Sequence, residues 1–289
     1  RLTENVDVLE ETLEISRDRI IRAQYQFEFG QSNRLAILNA EVDVNNDSIN
    51  LLNVQQQLDN ARRDLNVIVN DQEIPLDAFL VDTTVAFIPK LQLDSYLSEA
   101  KTNNVSLLRA ESTISISEYA LKVSKSGYLP TVNLSGSYGW NTASLPSTSF
   151  AQTSTTLGYA AGLSLSWNLF DGGASITNVR NSKVRLENEE YIKKQIILEV
   201  NRDIANALGN YENKRYIYEV QENNVVTNQN NFERTEEQFK IGQITSIEFR
   251  QAQINLLNAR TSKNLAKYDA KLAELQLLQL TGQLLNVEF

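Results

Sequence analysis

Apolar residues recur at mixed three- and four-residue spacings along most of this chain, the pattern of amphipathic helices with narrow buried seams. Val6, Leu9, Leu13, Ile20 and Ala23 predict a helix over 2–27. Gly30 in "FEFGQSN" is a natural left-handed terminator, and Ser32 or Asn33 can cap a second helix over 34–69. Residues 71–92, with Pro75 and Pro89, read as a connector, and a single further helix is expected over 93–125. Helical spacing returns after residue 172. A helix over 174–239 breaks at Gly242, and a last one over 246–280 ends at Gly282.

Between these helices the period changes to two. Val132, Leu134, Tyr138 and Trp140 alternate with Thr131, Asn133, Ser135 and Ser137; Tyr159, Ala161, Leu163, Leu165, Trp167 and Leu169 alternate with Gly162, Ser164, Ser166 and Asn168. Two such runs around a polar loop over 141–158 predict a long β-hairpin. Each run is about as long as the roughly 9–11 tilted residues that cross a bilayer. The small, neutral residues Ser135, Ser164 and Asn168 suit a water-filled lumen. Tyr138, Trp140 and Tyr159 lie toward the loop and Trp167 and Phe170 at the other end, as two interfacial girdles facing lipid would. The plainer alternative is that aromatics favour strands in general. Two strands cannot span a membrane alone, because an open sheet edge cannot face lipid, and four are too few to close; a membrane barrel must then be shared between subunits.

The helical parts repeat. Gln26, Phe27, Gly30, Gln31, Ala40 and Asn46 match Gln238, Phe239, Gly242, Gln243, Ala252 and Asn258 without a gap, at a constant offset of 212 residues. The same offset places the counterpart of the hairpin upstream of Arg1. The sequence is therefore expected to be the C-terminal two thirds of a protein with two helix–hairpin–helix repeats, lacking the first repeat's hairpin. The expected organisation is a helical hairpin of repeat 1 (1–70), a connector (71–92), a helix of repeat 2 (93–127), the β-hairpin with its loop (128–171) and a long helical hairpin of repeat 2 (172–289).

Composition narrows the chemistry. The chain has 289 residues, a net charge of −9, no His and no Cys. Disulfides, thiolate or imidazole metal sites and Ser-His-Asp catalysis are excluded, and the acidic balance argues against nucleic acid as a partner. No cofactor, metal or catalytic residue is expected. Asp171 in "FDGG", where strand becomes helix, reads as a helix cap rather than a reactive carboxylate.

The stretches "GYLPTVNLSGSYGW", "LSLSWNLFDGG", "FKIGQITSIEFRQAQINLLNAR" and "AELQLLQLTGQL" resemble the TolC-like outer-membrane efflux protein family over nearly the whole chain. The resemblance implies a mainly α fold with a membrane β-hairpin, built as a homotrimer with a common 12-stranded barrel in the outer membrane of a Gram-negative bacterium. It implies helices forming an α-barrel in the periplasm. By the same resemblance the two glycine turns are tips that meet a periplasmic adaptor (membrane fusion) protein, itself linked to an inner-membrane pump. Adaptor contact then falls on Phe29, Gly30, Gln31, Ile241, Gly242 and Gln243, of which Gly30 and Gly242 serve as helix caps in any case. The family's lumen gate maps onto Glu248 and Gln251, and onto Ala36 and Asn39 in the first repeat. Glu248 is the one acid among them and can equally be a solvated surface residue. The family's polar latch partners map onto Phe239 and Ile244, which cannot make its polar bonds, so closure would rest on apolar contact or on Asn and Gln. The implied function is the exit duct of a tripartite efflux or type I secretion system. The alternative is a soluble coiled-coil scaffold, for which charged flanking positions sustained over many heptads would speak; here small and polar residues run along both helix faces.

Overall fold

The computed structural model describes residues 1–70, 74–78, 83–144 and 153–287. Its elements are α1 (Leu2–Glu28), α2 (Arg34–Val69), a 3₁₀ turn (Leu76–Ala78), α3 (Lys90–Asn103), α4 (Val105–Ser126), β1 (Thr131–Ser144), β2 (Thr153–Ser166), α5 (Ala174–Lys240) and α6 (Ser246–Thr281). They form two compact units, one of Arg1–Asn103 with Asn201–Phe289 and one of Asn104–Val200. None of the described helices is long and apolar enough to cross a membrane.

In the first unit, α1 and α2 pack side by side, α1 burying Val6, Leu9, Leu13 and Ala23. One apolar cluster joins Leu93 of α3, Ala207 and Tyr211 of α5, and Ala273 and Leu277 of α6, with Phe87 and Ile88 of the connector against it. The fully buried Glu274 holds that connector. It accepts from the Ile88 N–H (2.7 Å), the Tyr211 hydroxyl (3.3 Å) and Lys271 Nζ (2.5 Å), the pairing a buried carboxylate requires. Lys271 also donates to the Ala86 carbonyl, and the Arg215 guanidinium lies over the Phe87 ring. A second cluster joins Phe232 and Phe239 of α5 to Phe249, Ala252 and Leu256 of α6, the rings of Phe239 and Phe249 stacking at 4.7 Å.

The single helix expected over 93–125 is two helices. The Asn104 side chain accepts from the Ser106 and Leu107 N–H groups, so it starts α4 and ends α3. Asn offers the backbone this alternative to continued helix, and the β-branched Val105 follows it. The break has a packing reason. Gly282, the left-handed C-cap of α6 (φ 74°), lies so close to Asn103 that a Cβ there would sit 2.2 Å from the Asn103 carbonyl oxygen.

In the second unit, β1 and β2 form an antiparallel pair. Val132 faces Leu165, Leu134 faces Leu163, Gly136 faces Ala161, Tyr138 faces Tyr159 and Trp140 faces Leu157. The alternate pairs are Asn133–Ser164, Ser135–Gly162, Ser137–Ala160 and Gly139–Gly158. The strands are longer than the alternation indicated: 141–144 and 153–158, read as loop, are paired strand, because these stretches are mostly Thr, Ser and Asn, with only Ala143 and Leu157 as apolar marks. Residues 145–152 of that loop, and 71–73 and 79–82 of the connector, lie outside the described residues. At the other end β2 stops at Ser166, so Trp167, Asn168 and Phe170 follow the strand rather than belong to it. The Trp167 indole N–H donates to the Tyr128 carbonyl (3.2 Å), tying the two feet of the hairpin together. Asp171 accepts from the Gly173 and Ser175 N–H groups, opening α5 as a cap.

Candidate functional site

The two turns that link paired helices are built alike. After α1, the Gly30 N–H donates to the Phe27 carbonyl and the Gln31 N–H to the Gln26 carbonyl; after α5, Gly242 donates to Phe239 and Gln243 to Gln238. This nested pair of bonds is the Schellman motif, with glycine in the left-handed position at φ 70° and 76°. The offset of 212 therefore holds for backbone hydrogen bonds as well as residue identities. Beside each glycine stands an apolar residue with its side chain in solvent: Phe29 is 76% exposed and Ile241 68%. Leu35 and Ile247, in the first turn of the following helices, are also exposed.

The helices after the turns start differently. Asn33, not Ser32, caps α2 by accepting from the Ala36 N–H (3.1 Å). Thr245 caps α6 through a reciprocal capping box: its hydroxyl accepts from the Glu248 N–H, and the Glu248 carboxylate accepts from the Thr245 N–H (2.8 Å) and hydroxyl (2.9 Å). The backbone bond from Thr245, then its hydroxyl, holds the Glu248 carboxyl below the usual carboxylate range. Glu248 is thus ionised and engaged with its own helix start, a role the spacing Thr-x-x-Glu carries in the sequence but which the gate mapping passed over.

Between the two turns lies a groove of about 800 Å³ lined by Gln31, Ala36, Asn39, Gly242, Gln251 and Arg250, among others. The structure thereby brings together tip and gate residues from both repeats. Phe29, Gly30, Ile241, Gln243 and Glu248 are not part of its wall. Gln251 bonds to Asn255 along its own helix (2.9 Å). Phe239 is buried in the apolar cluster with Phe249, and Ile244 packs on the same cluster, so both hold α5 to α6 within the chain.

Behind the groove is a polar core that helical periodicity did not indicate. Arg250 of α6 grips Asp47 of α2 through two bonds of 2.7 Å, and Ser16 of α1 donates to the same carboxylate at 2.6 Å. Gln253 donates to Ser16 Oγ and to the Thr12 carbonyl, both at 2.9 Å. Arg19 pairs with Asp43 beside it. Ser16, Arg19, Asp47 and Gln253 are buried. Burial by itself lowers the Arg250 pKa, but the bonds to Asp47 and the charge of Asp43 outweigh it and leave the guanidinium firmly protonated. Among the described residues there is no group of three or more acids that could hold a metal ion.

The hairpin completes the picture. One face carries Val132, Leu134, Tyr138, Trp140 and their apolar partners, the other small polar residues, and the described strands contain no charge. The Tyr138 and Tyr159 rings meet at 4.8 Å near the loop end. Every residue of both strands is exposed, so the apolar face has no partner among the described residues.

Comparison with known proteins gives the fold a family. The structure resembles the CmeC outer membrane channel of Campylobacter jejuni (TM-score 0.71, 15% identity, 98% of this chain and 60% of that one). It also resembles VceC of Vibrio cholerae (0.71, 14%, 98% and 66%) and the open state of the MtrE channel of Neisseria gonorrhoeae (0.63, 16%, 98% and 65%). The chain thus spans 60–66% of the length of these channels. A search among curated proteins gives no match. The sequence profile of the outer membrane efflux proteins matches residues 96–283, which takes in α4, the β-hairpin, α5 and α6. The chain belongs to the outer membrane efflux protein family.

Proposed function

We propose that the protein containing this chain is a homotrimeric outer-membrane exit duct of a tripartite efflux or type I secretion system, opened at its periplasmic tip by an adaptor protein that links it to an inner-membrane pump. The observation that carries the reading is the hairpin: paired strands with one continuous apolar face, one small neutral face and no charge, whose edges and apolar face find no partner among the described residues. In lipid such edges must be paired, and strands from further copies supply the pairing. Tyr138, Trp140, Tyr159, Trp167 and Phe170 then mark the two interfaces. The exposed Phe29 and Ile241 beside left-handed glycines support adaptor docking at the tips, since an apolar side chain held in water on a close-approach turn is suited to a partner's surface. Glu248, Gln251 and Asn39 would line the gate, with three Glu248 carboxylates in a trimer.

The test is planar-bilayer conductance of the full-length protein, with Glu248→Gln alongside. Discrete channels with a cation preference that falls in the variant are expected. Channels indifferent to the substitution would keep the duct and leave Glu248 as a helix cap alone. Detergent-extracted trimer that forms no channel would overturn the duct and favour the coiled-coil scaffold.

A further inference from the structure

Below the foot of the hairpin, α4 and the first part of α5 run side by side and antiparallel. Ser124 and Ser182 share a hydrogen bond (2.6 Å), and Lys193 reaches Glu111 farther along (2.9 Å). This register sets Lys125 about level with Arg180 and Lys122 about level with Lys183, with Arg185 within a turn. All five side chains are exposed. Between residues 119 and 186 the sequence holds one acid, Asp171, and its carboxylate is engaged in capping α5. Of the five cations only Lys183 has an ion pair among the described residues, with the exposed Glu187 of its own helix (3.8 Å). Acids return just beyond, as Glu187, Glu189 and Glu190 on α5 and Glu118 and Glu111 on α4. Charge is thus sorted by height in a chain whose net charge is −9, whereas an ordinary solvated helix face mixes the two signs.

We propose that Lys122, Lys125 and Arg180, backed by Lys183 and Arg185, form a basic collar that binds the phosphate headgroups of anionic phospholipid in the leaflet from which the helices emerge. Height is the first argument. At about 1.5 Å per residue, Lys125 and Lys122 lie roughly 2 and 6 Å from the end of α4, and Arg180 roughly 9 Å from the start of α5. A headgroup layer is roughly 5–8 Å deep, so these three side chains reach phosphate. Lys183 and Arg185, roughly 14 and 17 Å down, act more weakly through a field that salt screens over about 8 Å. The band above the cations fixes that depth. Tyr128, Leu129, Trp167, Leu169 and Phe170 are exposed between the strands and the helices, Phe170 by 86%. Aromatic groups seat at the boundary of acyl chain and headgroup, and long Lys and Arg side chains beneath them extend to the phosphates. The spread of the charges is the second argument. None of the five lies in the seam of Leu121, Ser124, Val179, Ser182 and Leu186, and helical periodicity points Arg180, Lys183 and Arg185 to three sides of α5. A single phosphate or an acidic peptide needs cations gathered on one face. A layer of headgroups surrounding the helices is met by cations on several.

This rests on the membrane reading of the hairpin, and its test separates the two. The full-length protein is reconstituted in phosphatidylcholine vesicles containing increasing fractions of brominated phosphatidylcholine or brominated phosphatidylglycerol, whose bromines quench a neighbouring indole. Trp167 stands at the hairpin foot above the collar, and the difference between the parent and Trp167→Phe isolates its emission. Brominated phosphatidylglycerol is expected to reach half-maximal quenching at about a fivefold lower lipid fraction than the neutral lipid, the preference that one cation near the surface confers. Lys122→Gln/Lys125→Gln/Arg180→Gln, all at exposed helix positions, should bring the two curves together with channels still formed. Lys194→Gln, about 30 Å along α5, should leave them apart. Equal quenching by both lipids in the parent, or a preference that survives in the triple variant, would overturn the collar and leave the membrane hairpin standing. A preference abolished by inorganic phosphate, but not by chloride at the same ionic strength, would replace lipid with a free anion as the ligand. Absence of quenching by either lipid would overturn the membrane reading as well.

Discussion

At the scale of single residues, the side chains that matter most hold backbone ends. Gly282 combines a left-handed φ with contact against Asn103, so Gly282→Ala is expected to cost about 3 kcal/mol or more, from strain in the left-handed region plus displacement of α6 from the α3–α4 junction. The urea midpoint of the extracted protein reads this. Thr245→Ala removes one half of the capping box and is expected to cost about 1 kcal/mol, seen as faster amide exchange in the first turn of α6. The pH dependence follows in sign. Because the Glu248 carboxyl is depressed in the folded chain, the box contributes fully above the unfolded carboxyl value of about 4.3 and is lost as pH falls through the lower folded value. Protection of that turn is thus expected to persist through mild acid and to be lost only as pH falls through the lowered folded value, and Thr245→Ala should weaken the dependence without abolishing it, because the backbone N–H at that position still bonds the carboxylate.

Elements raise a different question, that of which contacts cross between them. Arg250→Met alone would strand the buried Asp47 carboxylate without its guanidinium, which in such pairs costs about 3–5 kcal/mol. The double change Arg250→Met/Asp47→Leu is expected to recover most of that loss, because well-packed apolar groups can replace a buried ion pair. Chemical denaturation of both variants decides it; equal damage in the two would mean that the pair itself, rather than its desolvation, holds α6 to α2. The hairpin obeys face logic. Leu163→Arg on the apolar face is expected to cost about 2–4 kcal/mol of membrane stability, whereas Ser164→Arg, one residue along, should insert and lower conductance instead. Folding yield into vesicles and single-channel currents distinguish the two.

For the whole molecule, element types, the turn glycines and the hairpin's two faces were legible in sequence, because periodicity and turn chemistry act over a few residues and leave a local trace. Helix bounds at 34, 174 and 246 follow from the same cues. The break at Asn104 is not legible as the glycine turns are, because neither Gly nor Pro marks it and Asn is common inside the helices of this chain. The polar core behind the groove left no trace: Ser16, Asp47 and Arg250 stand up to 234 residues apart, and each alone looks like an ordinary helix-surface residue. Only tertiary packing made them neighbours, put Glu274 under the connector and pressed Gly282 against Asn103. The sequence by itself determined the periods, the glycine breaks and the duplication, all set by short-range sterics and by where apolar groups recur. The structure alone decided which polar groups share a buried space, because that depends on chain segments meeting at long range.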